Sequence, residues 1–349
     1  MMRETVVING RKVGKGYPAY IIAEIGSNHD GSLDKAKELI SACKYAGADA
    51  VKFQSFTAEG LLNPIKPDGG VNGGWEANPA YQLIERLTLP VEWHAELKEY
   101  AERAGLTFLS APFDEGRARL LNSIGVAAFK IASGDITDEP LLSLVASYGK
   151  PVILSTGASY LDEVRRAVDT LVNGGAAGIA LLHCSALYPP AFEEVNLLSM
   201  VTLRNEFKCP VGFSDHTPGF AVPVASVALG ASIIEKHITL SRELKGPDHP
   251  YAVEVEEFKE MVSQIRNIEK ALGGPVKKPS DNELIMRTVA RRGIYARRDI
   301  KKGEIISPDN LKVVRQACGL APGDIPLVAG RPALRDIKKD MPLTGEDLC

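Results

Sequence analysis

The chain is poor in cysteine and in net charge, and each shortage excludes a class of protein. Five cysteines are scattered through 349 residues, an odd number without CxxC spacing, so neither a disulfide framework nor a zinc ribbon is indicated. The formal net charge is only -3, with both signs interspersed, which leaves no basic stripe for nucleic acid or anionic lipid. No run of about 20 apolar residues is long enough for a bilayer. The opening MMRETVVINGRKVGKGYPAY lacks the apolar core of a signal peptide. A soluble protein of the reducing cytoplasm, with small-molecule partners, is expected. A GxGxxG or Walker loop after the first strand pattern is also missing, which argues against an open doubly wound sheet.

What is present is a repeated unit. From Tyr20 onward, eight apolar, β-branched runs alternate with helical patterns: YIIAEIG, AVKFQSF, TFLSAPF, AFKIASG, PVILSTG, IALLHCS, PVGFSDH and SIIEKHIT. Helical candidates begin with SLDKAKELISACKYAG, entered through Ser32, and end with EVEEFKEMVSQIRNIEKALGG. Eight βα units in roughly 250 residues is the count that closes a TIM barrel. The expected barrel domain covers residues 1–273 with a short N-terminal extension. A polar linker containing PVKKPSDNEL covers 274–287, and a small β-rich domain covers 288–349. That last segment carries two rough copies of one pattern, RRGIYARRDIKKGEI and GRPALRDIKKDMPL. The Gly, Pro and Asn-rich connection from Thr57 to Leu87 is long enough to be a lid or binding element.

In such a barrel the active site is built at the carboxyl ends of the strands. The ends of the eight runs supply Glu24, Asn28, Lys52, Gln54, Ser110, Lys130, Ser133, Ser155, Thr156, His183, Ser185, Ser214, Asp215, His216, Glu235, Lys236 and His237. Strand alternation groups Lys52 with Gln54, Ser214 with His216, and Glu235 with His237. Two buried lysines beside several serines make a pocket for phosphate or carboxylate. The alternative is structural pairing of either lysine with Glu24 or Asp135. His216 and His237 end adjacent strands and are candidate ligands for a divalent metal. A hydrogen-bonded pair, or an acid and base without metal, is the alternative there. Asp248, in a Gly-Pro loop above the rim, is a candidate for holding hydroxyls or an Asx-turn residue. Asp215 points away from Ser214 and His216, as a supporting or helix-entry carboxylate. His29 reads as a helix-entry residue, His94 as a solvated helix residue, His183 as packed, His249 as a loop residue, and Cys184 as core.

In order along the chain, AEIGSNHDGSLDKAKELI, GADAVKFQSF, FLSAPFD, FKIASGD, ILSTGA, LLHCSALYP, GFSDHT and ALGASIIEKHITL resemble the sialic acid synthase family, including its pseudaminic and legionaminic branches. The C-terminal segment resembles the antifreeze-like SAF domain of those enzymes. The resemblance implies condensation of phosphoenolpyruvate with an open-chain N-acyl hexosamine, giving a nine-carbon nonulosonic acid and phosphate. By motif, His216 and His237 would bind manganese or magnesium. Lys52, Lys130, Ser133, Ser155 and Ser214 would bind phosphoenolpyruvate, and Glu24, Gln54, Tyr188 and Asp248 the sugar, with Glu24 handling protons. It also implies a domain-swapped homodimer in which Arg315 reaches the partner's site, although Gln316-Ala317 replaces the family's Pro-Gly after that arginine. Ala186 stands where a polar residue is frequent, GGW at Trp75 and PVEWHAEL look like the pseudaminic branch, and IASGD looks like the sialic and legionaminic branches. Two further readings remain: a related synthase acting on a sugar phosphate, and a non-catalytic carbohydrate- or ice-binding protein.

Overall fold

The computed structural model describes residues 3–62 and 79–348. The chain divides into two compact units, Met1–Gly273 and Gly274–Cys349. The first begins with a hairpin, β1 (Thr5–Ile8) and β2 (Arg11–Gly14). There follow β3 (Tyr20–Gly26), α1 (Leu33–Tyr45), β4 (Ala50–Ser55), α2 (Ala58–Leu61), α3 (Pro79–Leu87), α4 (Val91–Arg103), β5 (Thr107–Pro112) and α5 (Glu115–Ser123). Then come β6 (Phe129–Ile131), α6 (Glu139–Ser147), β7 (Pro151–Ser155), α7 (Leu161–Asn173), β8 (Gly178–His183), α8 (Ser199–Phe207), β9 (Val211–Asp215) and α9 (Ala221–Ala228). The unit ends with β10 (Ile233–Thr239), β11 (Val253–Glu254) and α10 (Val255–Leu272).

The eight strands β3 to β10 pair in parallel in the order β5-β4-β3-β10-β9-β8-β7-β6. β5 and β6 lie side by side, but among the described residues no ladder joins them. The result is a nearly closed TIM-like barrel, and the eight expected strands coincide with the eight observed. Ser32 caps α1 by accepting from the Lys35 amide at 3.3 Å, as the sequence pattern implies.

Because side chains alternate along a strand, the barrel divides into an inner and an outer set. Outward residues such as Ile21, Ala23, Val51, Phe53, Phe129, Leu154, Leu181 and Phe213 form one buried cluster with the helices. Inward residues of the lower half, Tyr20, Ile22, Ala50, Leu109, Ala128, Ile153, Ala180, Leu182 and Ile233, form a second cluster. Val6, Ile8 and Val13 of the hairpin pack into that second cluster. The hairpin is therefore a plug for the amino-terminal end of the barrel. Arg11 pairs with Asp49, and Asp49 Oδ2 accepts from the Ile21 amide at 2.8 Å.

The connection from Thr57 to Leu87 is not wholly a loop, since α2 and α3 occupy its two ends; Trp75 and its GGW motif lie outside the described residues. In the second unit, α11 (Asp281–Ala290) occupies the second half of the segment expected as a linker and runs into the segment expected as β-rich. Its Ser280 cap and Glu283 form a capping box. β12 (Arg292–Ala296) and β13 (Leu311–Arg315) pair antiparallel, followed by the short α12 (Ile325–Val328). Ile294, Ala296, Ile300, Ile306, Leu311, Val328, Ala333, Ile337 and Leu343 form its core. The repeated DIKK sequence has a structural explanation. Ile300 and Ile337 bridge each other, the Lys302 amide donates to Asp336 at 2.8 Å, and the Lys339 amide donates to Asp299 at 2.8 Å. The two copies pair reciprocally, and each is followed by a residue of positive φ, Gly303 and Asp340.

Candidate active site

The apolar inner layers stop halfway up the barrel. The next inward positions are Glu24, Lys52, Lys130, Ser155, Ser214 and Glu235, all buried. Lys52 Nζ lies 2.8 Å from Glu24 Oε2 and 3.7 Å from Glu235 Oε1. Lys130 Nζ lies 3.6 Å from the same Glu235 oxygen and donates to Ser155 Oγ at 2.8 Å. Ser214 donates to Glu235 at 3.0 Å. Lys52 is thus paired with Glu24, whereas Lys130 is held by Glu235 and Ser155 rather than by Asp135. Glu235, one of many candidate rim residues in the sequence, is the hub that keeps two buried ammonium groups together.

The two carboxyls are driven apart in acidity. Burial would raise Glu235, but Lys130, Lys52 and the Ser214 hydroxyl outweigh it and hold the group at about 2. At Glu24, burial and the neighbouring Glu235 charge outweigh Lys52, and the carboxyl is pushed up to about 7. Burial lowers Lys130 from its ordinary value. Lys52 experiences the same burial, yet Glu235 and Glu24 carry it above. The layer thus brings into one cavity two lysines shifted in opposite directions, one firmly ionised carboxylate and one carboxyl that exchanges its proton near neutral pH.

One step higher are Gly26, Gln54, Gly157, Cys184, His216 and His237. Gln54 donates to Glu24 at 2.9 Å. Gly26 has φ 54°, and a Cβ there would lie 2.8 Å from Asp248 Oδ2 and 3.4 Å from Glu24. That glycine lets Asp248, Glu24 and Gln54 converge. At Gly157 a Cβ would meet Cys184 Sγ at 2.8 Å and Ser133 Oγ at 2.9 Å, while its amide donates to Ser133 at 2.9 Å. Both glycines belong to the site. Their signal is a glycine at or just beyond the end of a strand, in EIG and STG.

His216 and His237 have ring centroids 5.4 Å apart. The Ser185 carbonyl lies 2.9 Å from His216 Nδ1; a carbonyl only accepts, so Nδ1 carries the proton and Nε2 keeps its lone pair. Burial lowers both rings to about 4, so both are neutral donors at physiological pH. His237 Nδ1 is buried with no hydrogen-bond partner among the described residues, 3.6 Å from Asp248 Oδ2. Tyr188, joined to Pro189 by a cis peptide bond, packs on His216 with centroids 4.2 Å apart. Tyr251, which the sequence reading passed over, packs on His237 at 5.1 Å and donates to Asp248 at 2.7 Å. Burial would raise Asp248, but His237, Tyr251 and Ser27 hold it below its usual value. Among the described residues no group of three His, Cys, Asp or Glu side chains is arranged to hold a metal.

Two other expectations, at Ser110 and His94, are corrected, and the remaining candidates fall as follows. Ser110 turns outward, because β5 points Leu109 inward, and it bonds Ser55 at 2.7 Å. His94 is not solvated: it is buried between α4 and β4, 2.7 Å from Ser55 Oγ and 2.8 Å from the Pro90 carbonyl. His249, in the GPDHP segment, is buried. His183 is spent on the Val195 carbonyl at 2.7 Å. His29 receives the Gly31 amide at 3.1 Å just before α1. Cys184 is buried, 3.1 Å from Ser133 Oγ. Asp215 faces outward and pairs with Lys236 at 2.5 Å while receiving Thr217 Oγ1 at 2.9 Å, a supporting role behind the histidine strands. Arg315 belongs to the second unit, exposed at the end of β13.

A barrel with a cationic, carboxylate-braced layer below a histidine pair defines the class. The NeuB family matches residues 39–277 and the SAF domain residues 291–348. The chain belongs to the NeuB family, with a C-terminal SAF domain. It is 45% identical to the N,N'-diacetyllegionaminic acid synthase of Legionella pneumophila, covering 93% of each chain. It is 39% identical to the pseudaminic acid synthase of Campylobacter jejuni, covering 91% of this chain and 93% of that one. The crystal structure of N-acetylneuraminic acid synthetase from Leptospira borgpetersenii in complex with citrate superposes with a TM-score of 0.74 at 33% identity, covering 82% of this chain and 95% of that one.

Proposed function

We propose that the protein condenses phosphoenolpyruvate with an open-chain N-acyl hexosamine, or a diacetamido-trideoxyhexose, to give a nonulosonic acid and phosphate, as a carbon-carbon bond-forming transferase. The observation that carries this reading is the pair of buried ammonium groups, Lys52 and Lys130, braced by one carboxylate oxygen of Glu235. Such a layer carries positive charge into a low-dielectric cavity, which suits a small polyanion. Family membership and the named activities of the relatives support the same reading.

Lys52, Lys130, Ser133, Ser155 and Ser214 would hold the phosphate and carboxylate of phosphoenolpyruvate. Gln54, Tyr188 and Asp248 would hold the sugar above them. The enol carbon forms the new bond to the aldehyde carbon, water adds at the former enol ether carbon, and the tetrahedral species loses phosphate by carbon-oxygen cleavage. The aldehyde oxygen takes up a proton. Glu24, with its carboxyl near 7, is poised to give it.

Two neutral imidazoles, one with its Nε2 lone pair free of the Ser185 bond and one with an unpartnered Nδ1, fit a divalent cation, manganese or magnesium. When bound, the cation would polarise the aldehyde. Substrate or water would complete its coordination. The reading further places the protein in the cytoplasm as a domain-swapped homodimer, with Arg315 of one chain serving the other's site.

Phosphate release from phosphoenolpyruvate with a panel of N-acyl hexoses, free and 6-phosphorylated, tests the reaction. Release only with unphosphorylated N-acyl sugars supports it, and release only with phosphorylated sugars would transfer the protein to the other synthase class. Absence of release from metal-supplied protein with every sugar would return it to a non-catalytic role. His216→Ala and His237→Ala are each expected to abolish turnover and weaken manganese binding. Full activity of either variant in chelator would remove the metal.

A further inference from the structure

His249 is a buried residue that the proposed reaction leaves unused, and its surroundings are those of a built device. The ring is fully buried, and both nitrogens are engaged. Nδ1 lies 2.7 Å from Thr239 Oγ1 at the end of β10. Nε2 lies 3.0 Å from Asp30 Oδ1 in the segment that follows β3. Asp30 is fixed in turn by Lys35 at 2.7 Å. Gly246 packs against the ring so closely that a Cβ there would lie 2.7 Å from Cδ2.

Two more bonds tie the segment after β3 to β10 and to the segment that follows it. Asn28 donates to the Ile238 carbonyl at 2.9 Å, and Ser27 Oγ donates to Asp248 Oδ2 at 3.1 Å. The segment after β10 therefore meets the segment after β3 through one apolar-sized ring with two polar ends. A buried imidazole satisfied at both nitrogens has one acceptable placement, which an aliphatic side chain of similar volume would not specify. Asp248 precedes His249 in the chain and Tyr251 follows two residues later, so fixing His249 fixes both.

We infer that Asp30, His249 and Thr239 form a latch, and that His249 is a positioning residue whose task is to hold Asp248 and Tyr251 over the sugar side of the site. It acts through those neighbours and touches neither the buried lysines nor Glu235. This inference rests on the proposed sugar-side role of Asp248. It separates the two substrates: loosening the latch harms the sugar and spares phosphoenolpyruvate.

The test uses the full chain with His249→Leu, which removes both bonds, His249→Gln, which keeps a polar end, and Gly246→Ala, which displaces the ring and guards against a misfolded His249→Leu. Hydrogen exchange across residues 240–252 is expected to quicken about tenfold or more in His249→Leu and Gly246→Ala, by local opening. With N-acetylmannosamine or a diacetamido-trideoxyhexose as probe, the sugar KM is expected to rise about tenfold, while the Kd for phosphoenolpyruvate stays within about twofold. His249→Gln is expected to recover part of the loss. Unchanged exchange in that segment, or equal worsening of both substrates, would overturn the latch. If the wild-type protein turned over neither sugar, the proposed reaction would fail, and the exchange measurement alone would decide the latch.

Discussion

The lower and upper halves of the barrel interior are built by the same strands with the same alternation, yet they hold opposite chemistry. Below, Ile22, Ala50, Leu109, Ile153 and Ile233 meet the hairpin plug in an apolar cluster. Two residues further along the same strands stand Glu24, Lys52, Ala111, Ser155 and Glu235. Apolar burial is the dominant favourable term in folding. Burying two ammonium and two carboxyl groups costs several kcal/mol per ion before pairing repays it. The difference indicates that the lower half secures the fold and the upper half spends stability on a site.

Four changes probe that contrast. The largest effect is expected from Lys130→Ala in the upper half. Phosphoenolpyruvate affinity should fall about 100-fold, since truncating one partner of a buried charge contact to a ligand costs about 2–5 kcal/mol of binding. Calorimetric titration checks this; an unchanged Kd would return Lys130 to a structural role. In the lower half, Ile22→Ala should cost about 2–5 kcal/mol of unfolding free energy and leave both KM values unaltered, as read by denaturant melts and steady-state kinetics. A rise in the phosphoenolpyruvate KM with little loss of stability would erase the contrast. Gly157→Ala should be intermediate: its Cβ displaces Ser133 and Cys184, and a misplacement of about 1 Å costs on the order of 100-fold in turnover.

The smallest effect is a pH slope. His29 is held at about 4 by burial, against an ordinary value near 6.5, and accepts the Gly31 amide only while neutral. Its contribution is complete above pH 6.5 and is lost as pH falls from 6.5 towards 4, because the unfolded ring takes up its proton first. His216 and His237 act in the same direction. Glu24, raised to about 7, acts in the opposite direction between 4.5 and 7, where the folded state keeps a proton that the unfolded chain has lost. His29→Asn should flatten the acid side of the melting-temperature profile, and an unaltered profile would show that His29 does not titrate on unfolding.

The same alternation explains what the sequence disclosed. Eight β-branched runs and their terminal polar residues were legible because period two and strand-end position are local properties, and they bring Lys52, Lys130, Ser214 and Glu235 together. Ser110 was misread because the side of a strand that faces inward depends on register, which no single strand encodes. The solvated reading of His94 failed, and the latch role of His249 stayed hidden, for a related reason. Their partners Ser55 and Asp30 lie far away in sequence, so burial had no local sign. Tyr251 and the glycines at 26 and 157 contribute through convergence of several loops. The DIKK repeat was visible, whereas its reciprocal pairing required the folded second unit.

The central claim is that the charged upper layer binds phosphoenolpyruvate for carbon-oxygen cleavage after attack on a sugar aldehyde. The most direct measurement supplies phosphoenolpyruvate labelled with heavy oxygen at the bridging position, an N-acyl hexose and a divalent cation, and determines by mass spectrometry where the label ends. The account predicts a nine-carbon acid without the label and inorganic phosphate carrying it. Unlabelled phosphate, or phosphate formed without the nine-carbon acid, would contradict it.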